Sequence, residues 1–82
     1  MEINVYPNPA HKFLIINLSL KVDKECEIKL ISLAGVIVFC DKIKNYADFQ
    51  NYSIDVSNIS KGNYILSVSF KGKTWSRYVL LQ

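Results

Sequence analysis

Apolar and polar side chains alternate along most of this chain. Leu14, Ile16, Leu18 and Leu20 fall on one face of residues 13–20, with Asn17 and Ser19 on the other. Cys26, Ile28 and Leu30 oppose Glu27 and Lys29. Tyr64, Leu66, Val68 and Phe70 oppose Ser67 and Ser69. A period of two describes strands with one buried and one wet face. β-Branched and aromatic residues fill these runs, as strands prefer. Trp75, Arg77, Val79 and Leu81 alternate with Ser76, Tyr78 and Leu80, and the pattern does not say which set faces inward.

Turn chemistry separates the runs. Ala34-Gly35 stands between residues 28–33 and 36–41 and predicts a tight hairpin. Lys71-Gly72 does the same between residues 63–70 and 73–81. Residues 22–25 are a polar connection, and residues 45–51 fit either a loop or an irregular edge strand. Residues 57–62 form a polar corner in which Ile59 turns inward. At the start, Pro7 and Pro9 fix φ, remove two backbone donors and hold Tyr6 and Asn8 out of helical space, which predicts a rigid extended lead-in. No segment carries a capped helical repeat. The fold expected is all-β: an immunoglobulin-like antiparallel β-sandwich of about six or seven short strands.

The 82 residues make a single domain, residues 1–82, with half its residues apolar and 21% charged. That balance excludes disorder. The net charge of +3 comes from scattered lysines, with Arg77 the only arginine. This is a solvated surface that blunts strand edges, not the concentrated basic patch of a nucleic-acid binder. No apolar stretch approaches the ~20 residues of a membrane-spanning helix. No charged segment followed by an apolar one opens the chain, which is expected to be one end of a longer protein.

Candidate chemistry is sparse. His11, the only histidine, follows Pro9-Ala10 in a turn and has no identifiable nucleophile beside it. Asp23, Glu25 and Glu27 share a face in extended chain, but Lys24 and Lys29 lie close and the spacing fits no calcium loop. Asp55 precedes the 57–62 corner and is expected to accept turn hydrogen bonds. Export would favour a disulfide between Cys26 and Cys40. A two-residue turn at Ala34-Gly35, however, pairs Cys26 with Ile43 and Cys40 with Lys29. The offset is about three residues, roughly 10 Å along the strand, and the side chains take opposite faces. Two free thiols are expected, with Cys26 in the core. Two cysteines and one histidine do not suit zinc. The Asn-x-Ser sites at Asn17, Asn51 and Asn58 lie partly in strands and are discounted as glycosylation sites. Trp75 is expected to cover the core's edge. An alternative function, an accessory module binding carbohydrate or protein, requires an exposed aromatic row of Trp75 with Tyr46 or Tyr52.

Four stretches in order resemble one family. Val5-Tyr6-Pro7-Asn8-Pro9-Ala10 resembles its opening signature, followed by Leu14-x-Ile16. Ile28-x-Leu30 through Leu33-Ala34-Gly35-Val36-x-Val38 is similar to its central strand–turn–strand motif. Ile54-Asp55-Val56-Ser57-x-Ile59-x-x-Gly62-x-Tyr64-Ile65-Leu66 is similar to its glycine–tyrosine motif, and residues 73–81 to its closing strand. The family is the C-terminal sorting domain of the type IX (Por) secretion system. Ser32 stands where the family commonly carries an acid, and Arg77 where it commonly carries lysine. The resemblance implies a sorting signal at the C-terminus of a larger cargo that reaches the periplasm by a separate N-terminal signal. An outer-membrane translocon recognises the signal and a surface sortase removes it. The cargo ends up secreted or on the cell surface. The domain would be no enzyme, would need no cofactor and would insert in no membrane. Its motif residues, for recognition or for folding, would be Pro7, Asn8, Pro9, Gly35, Gly62, Tyr64, Lys73 and Arg77. The last strand, Lys73–Leu81, is expected to be what the translocon reads.

Overall fold

The computed structural model describes residues 3–18, 25–43 and 51–82. Within them lie seven strands and no helix: β1 Ile3–Tyr6, β2 Phe13–Leu18, β3 Cys26–Ser32, β4 Ile37–Ile43, β5 Tyr52–Asp55, β6 Gly62–Phe70 and β7 Lys73–Leu81. They form two antiparallel sheets, ordered β1-β2-β5 and β4-β3-β6-β7, consistent with a β-sandwich. Alternation decides what each strand buries. Leu14, Ile16 and Ile54 from the first sheet meet Ile28, Leu30, Leu66, Val68 and Val79 from the second, all at most 1% exposed. Fully burying one such side chain contributes about 1.5–3 kcal/mol. Ile59 packs against this core from the corner, as expected.

The opening segment departs from the extended lead-in that its prolines suggest. Its first part is a strand, β1, which the period-two pattern is too short to reveal. Beyond Tyr6 the chain reverses, because β2 returns antiparallel on β1 with Tyr6 opposite Ile15. The Tyr6–Pro7 and Asn8–Pro9 peptide bonds are cis. Residues 7–12 are therefore the connection of a hairpin.

The β3–β4 hairpin also differs in detail. Gly35 donates to the Ser32 carbonyl at 2.9 Å, Ser32 donates to the Val36 carbonyl at 2.8 Å, and Val36 donates to Ser32 Oγ at 3.1 Å. The loop is thus three residues, Leu33-Ala34-Gly35, with Gly35 at φ 86° in the left-handed position such loops require. One irregularity, between Leu30 and Ile31, restores the register. Cys26 therefore lies opposite Ile43 and Lys29 opposite Cys40, the pairing expected from a two-residue turn. Both cysteines are free, Cys26 buried and Cys40 exposed. Burial pushes the Cys26 thiol up to about 11.

The β6–β7 hairpin has the expected two-residue loop. Phe70 lies opposite Lys73, and Lys71 and Gly72 both take positive φ, 51° and 75°. A brace joins the two sheets: the Tyr52 hydroxyl in β5 donates to Asp41 Oδ2 in β4 at 2.5 Å. Desolvation and this bond hold the Tyr52 hydroxyl well above the ordinary tyrosine range.

At the corner before β6, Asp55 Oδ1 accepts from the Ser57 hydroxyl at 2.6 Å and the Ser57 amide at 2.9 Å. These bonds hold its carboxyl below the usual range. Gly62 takes φ 145°, a backbone region that L side chains rarely adopt. Tyr64 is buried, and its hydroxyl donates back to the Ser60 carbonyl at 2.5 Å. A tyrosine at the start of a strand bonded to the chain just upstream is a tyrosine corner.

Candidate functional site

Among the described residues the acids and cysteines do not gather at one site. Glu27 pairs with Lys29 at 3.0 Å and Glu25 with Lys42 at 3.7 Å. Asp23 lies outside the described residues. Among the described residues no three histidine, cysteine or acidic side chains gather to hold a metal. Trp75 covers the core's edge, half-buried, with the Arg77 guanidinium 5.2 Å from its ring centre. Tyr52, also half-buried, lies in the other sheet, and Tyr46 lies outside the described residues.

The notable geometry is at the outer edge of β7. This strand ends the four-stranded sheet and pairs with β6 on one side only. Its inward face is the odd-numbered one, since Val79 and Leu81 are buried while Ser76 and Tyr78 are exposed. Backbone groups along an edge strand alternate in direction. The Leu80 amide and carbonyl point away from β6, as their partners in the opening segment show. By the same alternation Thr74, Ser76, Tyr78 and Gln82 also point outward.

The opening segment closes one half of that edge. Ala10 forms a parallel bridge to Leu81. Its amide donates to the Leu80 carbonyl at 2.9 Å, and its carbonyl accepts from the Gln82 amide at 2.8 Å. The Asn8 side chain donates to the Tyr78 carbonyl at 3.3 Å and accepts from the Leu80 amide at 3.1 Å. A side-chain amide carries the same donor and acceptor as a peptide group. Asn8 thus supplies with its side chain the pair that a neighbouring strand supplies with backbone. Pro7 and Pro9 have no amide to offer. His11 Nδ1 lies 3.1 Å from the Gln82 carbonyl. Among the described residues nothing pairs with the outward groups of Thr74 and Ser76.

Five of the eight motif residues therefore gather at β7 or its edge: Asn8 contacts it, between Pro7 and Pro9, while Lys73 and Arg77 lie within it, both exposed. The other motif positions sit elsewhere: Gly35 in the β3–β4 loop, and Gly62 and Tyr64 at the corner. Ala10 and the Asn8 side chain carry the contact to β7, and the residue pattern gave no partner for them. The available signal was Asn8 itself, an amide side chain between two residues without backbone donors.

An antiparallel two-sheet domain that ends on a half-covered edge strand defines a β module whose evident surface is strand backbone. A family model described as the secretion system C-terminal sorting domain matches residues 4–82, and the chain belongs to that family, the Por secretion tail of the type IX system. A search of curated proteins finds no match to the chain.

Proposed function

We propose that this domain is read as an export signal by the type IX translocon at the outer membrane, through the outer edge of β7. The observation that carries the reading is that edge, partly open at Thr74 and Ser76 and ending at the chain's C-terminal strand. Edge backbone docks an extended segment by adding a strand, with side chains supplying selectivity. Lys73, Arg77 and the exposed Tyr78 flank the open stretch. The cargo reaches the periplasm by its own N-terminal signal, passes to the outside with the folded domain attached, and is freed of it by a surface sortase. The domain itself is a substrate of this route and catalyses nothing. The pairing orders β1-β2-β5 and β4-β3-β6-β7, with the tyrosine corner at Tyr64, support an immunoglobulin-like sandwich with strands A-B-E and C′-C-F-G.

The test is a fusion of residues 1–82 behind a periplasmic reporter in a host carrying the system. The reporter is expected outside the cell; a reporter confined to the periplasm overturns the sorting reading. Deleting residues 76–82 is a poor test of the edge, because it strips the buried Val79 and Leu81 from the core. Ser76→Pro removes an outward amide and no bond to β6. Retention of a folded Ser76→Pro fusion, checked by circular dichroism, is expected. Its full export refutes the edge as the surface read.

A further inference from the structure

We propose that residues 7–11 are a removable latch on β7, an internal stand-in for the extended strand of a partner protein that takes its place. This rests on the sorting reading for the identity of the partner, but not for the latch itself. Three observations carry it. The latch buries almost nothing: Pro7, Asn8, Pro9 and His11 are exposed, and only the Ala10 methyl enters the core. Segments held by few apolar contacts and exposed hydrogen bonds open well below the energy of global unfolding. The latch is also an incomplete strand. Its prolines lack amides, Asn8 contributes a side chain where a strand contributes backbone, and the contact stops at Tyr78, short of Ser76 and Thr74. An uninterrupted extended segment satisfies the groups the latch holds and also those it leaves open. Finally, the latch joins β1 to β2, so it swings away without unpairing Tyr6 from Ile15 or Phe13 from Asp55.

The latch then scales the affinity for an incoming strand by the fraction of time it stands open. It also guards a free strand edge against unwanted pairing.

Native-state hydrogen exchange on the full chain tests the latch. Leu80 and Gln82, whose amides point outward, are expected to exchange faster than Val79 and Leu81, whose amides face β6. Asn8→Ala removes both side-chain bonds to β7, those to the Tyr78 carbonyl and from the Leu80 amide, and is expected to speed Leu80 exchange about 25-fold, the value of two ordinary hydrogen bonds, with Val79 unchanged. Exchange of Leu80 and Gln82 only at the global rate overturns the proposal. The strand site is tested with a synthetic peptide of residues 4–12 in which both prolines are valine. It is expected to bind the Asn8→Ala chain about 25-fold more tightly than the unaltered chain and to protect the Ser76 amide. No binding to either chain, or equal affinity for both, refutes competition between peptide and latch. Export of the reporter fusion is scored separately, so a chain that opens and binds peptide yet is not exported sinks the sorting reading alone.

Discussion

Tyr64 separates a folding role from a recognition role. Tyr64→Phe deletes one hydroxyl and leaves the ring, which is 6% exposed, in place. The bond lost is the one to the Ser60 carbonyl. Ser60 is exposed, so its carbonyl finds water afterwards and no buried group is orphaned. The cost is therefore that of one neutral hydrogen bond, about 1 kcal/mol. In a domain of this size that lowers Tm by about 4–8 °C. Tyr64→Ala also loses the ring and costs about 3–5 kcal/mol, a large share of the roughly 4–12 kcal/mol such a chain possesses. Thermal unfolding followed by circular dichroism measures both, with export of the reporter fusion scored in parallel. Tyr64→Phe is expected to be less stable and still exported wherever it is folded. A Tm within about 1 °C of the unaltered chain refutes the hydroxyl as the brace of the corner. A folded Tyr64→Phe chain that is not exported shows instead that the machinery touches Tyr64.

Gly35→Ala meets no atom within 4 Å of the added methyl, so its cost is purely that of left-handed backbone, about 1–2 kcal/mol; Gly35→Asn is expected to recover part of it, and equal stability of Ala and Asn in urea unfolding counts against the loop assignment. Thiol labelling at neutral pH should modify Cys40 quickly and Cys26 only on unfolding, because burial both shields Cys26 and suppresses its thiolate; two equally fast thiols refute the register of β3 and β4. The lowered carboxyl of Asp55 contributes stability that is present above its ordinary value of 3.8 and is lost as pH falls through the lower folded value. Urea midpoints measured from about pH 5 down to about pH 2.5 should therefore fall less steeply for Asp55→Asn, and parallel profiles refute the turn bonds to Ser57.

Much of this domain is legible locally. Alternation marked β3, β6 and β7 because each keeps one face dry, and Cys26, Ile28, Leu30, Leu66 and Val68 are buried as their spacing requires. The pairing of Cys26 with Ile43 and Lys29 with Cys40 followed from hairpin arithmetic, although the loop has three residues and an irregularity compensates. Families of motifs in fixed order identified the sorting domain, and the match over residues 4–82 bears this out.

The sequence alone settled what is periodic: β3 and β6 with their inward residues, the two-residue Lys71-Gly72 turn and the family the motifs compose. Tertiary structure decided which face of β7 turns inward, that β1 and β2 form a hairpin, and that Asn8 lies against Leu80, 72 positions away. The physical reason is range. Side-chain alternation records only burial at each position, whereas the covering of a strand edge is a bond between backbone groups, and backbone groups are alike in every residue but proline.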